Sequence, residues 1–112
     1  MSIETRTVND VTILDIKGKL TIGVGDIALR DSVNNALQNG ATKILLNFKE
    51  VTSIDSSGIG ELVSSYTMAT NRGAKLKLFN LPSKVTDILM ITQLITVFEV
   101  FDSETEAIQS FS

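Results

Sequence analysis

The chain contains no cysteine, no histidine and no tryptophan. Without thiols and imidazoles it has no thiol nucleophile, no imidazole acid–base catalyst, no ordinary zinc site and no Ser-His-Asp triad. Aromatic residues make up only 5% of the sequence, so Ile, Leu and Val must fill any core. An excess of positive charge is also missing. Ten Lys and Arg are scattered among thirteen Asp and Glu, for a net charge of -3. A nucleic-acid binder needs a basic stripe to neutralise phosphates, so nucleic acid is not expected as a direct partner. No apolar run approaches the roughly 18 residues that span a bilayer, so no membrane span is expected. The start, Met1 to Arg6, lacks a basic region followed by an apolar stretch. No signal peptide is therefore read there, and a cytoplasmic location is expected.

What is present suits one aliphatic domain. Hydrophobic residues reach 43% of 112 positions, enough for a packed core in a single domain spanning 1–112. Residues 3–8 and 11–17 are rich in β-branched side chains and are separated by Asn9-Asp10, which predicts an antiparallel hairpin, with Gly18 breaking the second strand. Asp26 is a candidate cap for a helix carrying Leu29, Val33, Ala36 and Leu37 on one face, stopped by Asn39-Gly40. Lys43 to Phe48 contains a short continuous apolar run, the pattern of a central strand buried on both faces.

After Asp55-Ser56-Ser57-Gly58 the period changes. Ile59, Leu62, Val63, Tyr66 and Ala69 recur at helical spacing, and Arg72-Gly73 ends that helix. Residues 75–79 alternate as a strand, and Leu81-Pro82 opens a helix with Val85, Ile88 and Leu89 inward. Residues 97–101 read as a last strand. Ser103 with Glu106 makes a capping box for a closing helix with Ala107, Ile108 and Phe111 apolar. The predicted order is β-β-α-β-α-β-α-β-α: an α/β fold with a mostly parallel, mixed sheet opened by the hairpin and packed with about four helices. Met68, Met90 and Tyr66 are expected to pack, and Glu61 to be solvated.

The informative segment runs from Val51 to Leu62. It lies between a buried strand and an amphipathic helix, which places Asp55, Ser56 and Ser57 where unpaired backbone N–H groups and the helix dipole favour an anion. Gly58 and Gly60 cost roughly 1 kcal/mol each in a helix relative to Ala. Two of them in a first turn are more than a structural helix start requires, and they leave room for another protein to approach. Asp and Ser are also ordinary capping residues, so from the residues alone a plain helix start accounts for much of the segment.

Asp55-Ser56-Ser57-Gly58-Ile59-Gly60, preceded by Ile44-Leu45-Leu46-Asn47-Phe48, resembles the signature of STAS domains, specifically the bacterial anti-sigma factor antagonists. Gly18-Lys19-Leu20 is similar to that family's Gly-x-Leu, and Ile91-Thr92-Gln93-Leu94 to its Thr-Gly-Leu element. The resemblance spans nearly the whole chain. It implies a regulatory protein that is not an enzyme and works by partner switching. The unmodified form binds an anti-sigma factor that is also a serine kinase, and so releases the sigma factor. Phosphorylation of Ser56 ends the binding, and a serine phosphatase restores it. Asp55, Ser57, Gly58, Ile59 and Gly60 are the implied partner-binding residues around it. ATP and Mg²⁺ belong to the kinase, so no cofactor is expected here. Two departures stand out: Gln93 replaces the usual Gly, and residues 21–26 differ from the family's common loop.

The residues admit two other readings. STAS-like domains also serve as non-switching scaffolds in stress-sensing assemblies or as components of lipid-transport systems. Gly23-Val24-Gly25-Asp26-Ile27-Ala28 spells a variant dinucleotide fingerprint, G-x-G-x-x-A, but the preceding strand is expected to end too early for it.

Overall fold

Residues that alternate or run apolar along the chain become five strands, and those at helical spacing become four helices. The computed structural model describes all of residues 1–112. In chain order the elements are β1 (Ser2–Val8), β2 (Val11–Leu20), α1 (Gly25–Gln38), β3 (Lys43–Ile54), α2 (Ser56–Asn71), β4 (Lys75–Phe79), α3 (Ser83–Ile91), β5 (Val100–Phe101) and α4 (Glu104–Gln109), with a 3₁₀ turn at Leu94–Thr96 before β5. The strands lie side by side as β1-β2-β3-β4-β5. The β1–β2 pair is antiparallel, and β2 to β5 pair in parallel.

That order decides where the helices go. Each parallel step from β2 to β5 moves the same way across the sheet. Right-handed crossovers therefore place α1, α2 and α3 on one face. Their apolar sides cover Leu14, Ile16, Leu20, Ile44, Leu46, Phe48, Leu76 and Leu78, with Leu29, Val33, Leu62, Val85 and Leu89 from the helices. On the opposite face Val11, Ile13, Leu45 and Phe79 pack against Ala107 and Phe111 at the end of the chain. Strand β3 is thus buried on both sides, which is why residues 44–46 read as a continuous apolar run.

Beside α4, the Arg6 guanidinium binds Asp15 at 2.7 Å and also reaches Glu104, and Asn47 donates to Asp15 at 2.8 Å. Burial alone would push the Asp15 carboxyl up, but hydrogen bonds from Arg6 and Asn47 hold it below the usual range.

Several expectations are corrected. Gly18 does not end β2. It sits at φ +103, where the register against β3 shifts, and the strand resumes through Leu20. A bulge bends the strand without ending it. Strand β3 runs on to Ile54, and β5 is only two residues long. Asp26 is not the cap of α1. Val24 holds that position, while the Asp26 carboxylate accepts from the Gly23 and Ile27 N–H groups at 2.9 and 2.8 Å. Met90 is 59% exposed instead of packed, whereas Met68 lies half-buried against the core. Tyr66 does pack, edge-on to Phe98 with ring centroids 5.2 Å apart. Ser103 caps α4, its Oγ accepting from Glu106 N–H at 3.2 Å, which is the serine half of the expected capping box.

Candidate functional site

Two helices begin at the carboxyl ends of neighbouring parallel strands, and both begin against the same residue. Leu20 closes β2, and the starts of α1 and α2 are pressed onto its backbone. At Gly25 an added Cβ would collide with the Lys19 carbonyl oxygen and come within 2.7 Å of Leu20 Cα. At Gly58 it would collide with the Leu20 carbonyl oxygen and come within 2.8 Å of Ile54 Cγ1. Neither site admits a side chain. Gly58 is buried, so its missing side chain serves packing within the chain and not the approach of another protein. Gly60 is exposed and an added Cβ there would meet nothing within 4 Å, so the open-space argument applies there alone.

Asp55 joins the two helix starts. Its backbone is extended, as an N-cap requires. One carboxylate oxygen accepts from Gly58 N–H at 2.9 Å, inside α2. The other accepts from Ile22 N–H at 3.0 Å, in the loop before α1. The Gly58 bond first, then the Ile22 bond, hold the Asp55 carboxyl below the usual carboxylate range. Ser56 follows as the exposed first residue of α2. The first amides of a helix have no acceptor ahead of them, so the Ser56 side chain sits where the backbone is electropositive. Ser57 and Ile59 are half-buried, and Ile59 packs against the main core. The structure therefore brings Asp55, Ser56, Ser57, Gly58, Ile59 and Gly60 into one turn.

Deeper between the helices, the solvated role expected for Glu61 is corrected. Glu61 is only 6% exposed and lies on the inner face of α2 with Gly58, Leu62, Ser65 and Ala69. Arg30 of α1 donates to it at 2.9 Å, and the Ser65 hydroxyl lies 3.4 Å from its other oxygen. Its place on that stripe, three residues after Gly58 and four before Ser65, was the available signal. The small residues at 58, 65 and 69 let α1 come close enough for Arg30 to reach it.

The dinucleotide reading fares poorly. Strand β2 reaches closer to Gly23 than expected, but the amides needed for a pyrophosphate are taken. Gly23 and Ile27 donate to the Asp26 carboxylate, and Asp26 N–H donates to the Thr21 carbonyl. An incoming phosphate would meet an acid there. The strand order also never reverses, so the sheet has no crevice at a switch point. No three acidic side chains converge as metal ligands.

The STAS domain family model matches residues 2–107, with the Asp-Ser-Ser-Gly turn inside the match. The chain belongs to the STAS domain family. This STAS domain is similar to the anti-sigma-B factor antagonist of Bacillus subtilis, at 28% identity over 92 residues that cover 82% of each chain. A Thermotoga maritima structure assigned as an anti-sigma factor antagonist matches with a TM-score of 0.88 at 28% identity, covering 96% of this chain and 92% of that one. The Bacillus cell fate determinant SpoIIAA in its phosphorylated form matches with a TM-score of 0.76 over 99% of this chain and all of that one. At 21% identity that last likeness is one of fold. The expected α/β architecture, with its mixed five-stranded sheet, holds. No helix is long and apolar enough to cross a membrane.

Proposed function

We propose that this STAS domain is an anti-sigma factor antagonist whose grip on its partner is switched by phosphorylation of Ser56. The observation that carries the reading is an exposed serine hydroxyl on the first residue of α2, fixed in place by a carboxylate that bridges two helix starts. The partner is an anti-sigma factor that doubles as a serine kinase and brings ATP and Mg²⁺. A serine phosphatase reverses the modification. These events take place in the cytoplasm, where a sigma factor works.

The site is built to receive a phosphate, not to activate its own nucleophile. Both Asp55 oxygens accept from backbone amides, and the carboxyl is held below its usual range. Asp55 is therefore a poor general base for the neighbouring hydroxyl. It positions the turn instead. Phosphorylation adds roughly 1.5 to 2 negative charges next to Asp55 on a domain already at -3. The helix N-terminus tolerates that anion in the free protein. A protein interface closed over a neutral hydroxyl does not, because an uncompensated buried charge costs about 3–5 kcal/mol. By that figure affinity falls roughly a hundredfold or more, while the fold persists.

The experiment is to incubate the chain with the anti-sigma serine kinase, ATP and Mg²⁺, and to follow phosphate incorporation and complex lifetime together. Ser56→Ala is expected to fold normally, take up no phosphate and stay bound. Ser56→Asp is expected to bind more weakly than the parent. Stoichiometric phosphorylation of Ser56→Ala would remove Ser56 from the scheme.

A further inference from the structure

One edge of the sheet is open. Strand β1 pairs only with β2, in unbroken register from Ser2 to Val8, so its outer side has no partner. The far edge is blunted, because β5 is two residues long. Strand β1 has seven residues and none of the usual guards: no proline, no lysine and no bulge. Its outward groups can be named. The two-residue turn at Asn9-Asp10 closes on the Val8–Val11 pair, so Ser2, Glu4, Arg6 and Val8 spend their N–H and C=O groups on β2. Those of Ile3, Thr5 and Thr7 point away from the sheet. Side chains alternate as well. Ile3, Thr5 and Thr7 lie on the helix-covered face, where Ile3 packs on the core. Glu4 and Arg6 lie on the other face, where Arg6 binds Asp15 and, from α4, Glu104.

We propose that a second copy of this chain adds to that edge, β1 against β1 and antiparallel, in a register centred on Thr5. A twofold pair must bring outward groups face to face, and the registers with the most overlap centre on Glu4, Thr5 or Arg6. Charge decides among them. Centring on Glu4 sets that carboxylate against itself, and centring on Arg6 sets two guanidinium groups together; like charges directly opposite are destabilising. Centring on Thr5 sets Glu4 against Arg6, Ile3 against Thr7, and Thr5 against itself. Every outward N–H and C=O of Ile3, Thr5 and Thr7 then gains a partner, two bonds for each facing pair. The side chains suit the arrangement. Glu4 is 68% exposed and reaches only Lys17, at 3.6 Å, while the Arg6 side chain keeps 38% exposure beyond its bonds to Asp15 and Glu104. Thr facing Thr and Ile facing Thr are favourable β-branched cross-strand pairs. One continuous sheet runs through both copies. The turn at Ser56 follows β3, two strands in from this edge, so the proposal stands independently of the Ser56 reading.

The test is sedimentation equilibrium of the purified chain over a concentration series reaching the millimolar range. A seven-residue edge belongs with small, transient contacts, so the average mass is expected to climb from 12.1 kDa toward twice that value only as concentration rises. Thr5→Lys places two ammonium groups face to face at the centre of the pair, and should raise the dimer dissociation constant roughly tenfold or more. Thr67→Lys, the same change at an exposed position on α2, should dimerise like wild type. Thermal midpoints of both variants should stay near that of wild type, since both threonines are exposed. The register has its own readout, because the chain contains no cysteine. With Thr5→Cys the two Cα atoms of the pair stand about 5.5 Å apart, within disulfide range, and mild oxidation should cross-link the copies. With Thr7→Cys the two positions lie four residues out of step, about 14 Å apart, and should not cross-link. A wild-type chain that stays monomeric at millimolar concentration would overturn the inference and leave the edge to a strand of another protein. Dimerisation that Thr5→Lys leaves unchanged would overturn it by moving the contact to another surface. Faster cross-linking at position 7 than at position 5 would overturn the Thr5-centred pairing.

Discussion

Gly58 and Gly60 sit two residues apart in the same helical turn, and replacing each with alanine should move stability in opposite directions. A Cβ on Gly58 meets the Leu20 carbonyl oxygen and Ile54 Cγ1. Leu20 yields little, because it is fully buried and paired with Ile54 at the end of β3. The start of α2 must move instead, carrying Asp55 with it. Overpacking of this kind costs about 1–3 kcal/mol, against which the better helix propensity of alanine returns at most about 1 kcal/mol. The expected net loss for Gly58→Ala is about 1–2 kcal/mol, or roughly 4–8 °C in Tm for a domain of this size. At Gly60 an added Cβ meets nothing within 4 Å. There only the propensity gain remains, and Gly60→Ala should raise Tm by roughly 2–4 °C. Thermal and urea unfolding of the two variants side by side is the assay. Amide exchange at Ile22 adds a local readout, since a displaced Asp55 loses its hold on that N–H. Both substitutions shifting Tm in the same direction would refute the close packing of α2 on Leu20.

Asp55 gives a pH prediction. Its folded carboxyl titrates below the unfolded value near 3.9, so its stabilisation is present above about pH 4 and is lost as pH falls through the folded value. The stability gap between wild type and Asp55→Asn, measured by urea unfolding, should therefore shrink on acidification. A gap that widens contradicts the bridge. Arg30→Ala leaves Glu61 buried with only Ser65 beside it. It is expected to cost about 1–2 kcal/mol, between a surface pair and a fully buried one because Arg30 itself is 58% exposed. Glu61→Leu combined with Arg30→Leu should recover most of that loss, and no recovery in urea midpoints would argue against the pairing. Gln93 holds φ 63, the left-handed conformation that a side chain disfavours by roughly 1–2 kcal/mol. Gln93→Gly should raise the thermal midpoint, and an unchanged midpoint would mean that the turn adapts to either residue.

Much of the architecture was legible because local pattern and tertiary role agree. The run from Ile44 to Leu46 is apolar since β3 is covered on both faces, and Asn9-Asp10 marks a hairpin because both residues take positive φ. Boundaries failed where a partner strand overrules local chemistry. Gly18 reads as a break, yet pairing with β3 alone carries β2 past it as a bulge. The Asp-Ser-Ser-Gly turn was legible as a helix start, and its resemblance to STAS signatures carried the functional reading. What the chain could not announce was contact at long separation. Asp55 reaches Ile22 across 33 positions and Glu61 reaches Arg30 across 31, and neither pair leaves a periodic trace. Glu61 misled because charge usually signals solvent, and only the neighbouring helix neutralises it. Ile22 and Val24, apolar and exposed, count for nothing in a core-seeking reading, although they flank the site.

The most direct test of the switch is to prepare the chain unmodified and fully phosphorylated at Ser56, and to measure the Kd of each for the anti-sigma factor kinase in one buffer. The account predicts tight binding by the unmodified chain, a loss of roughly a hundredfold or more on phosphorylation, and unfolding curves that show both forms folded. Equal affinity of the two folded forms would contradict it.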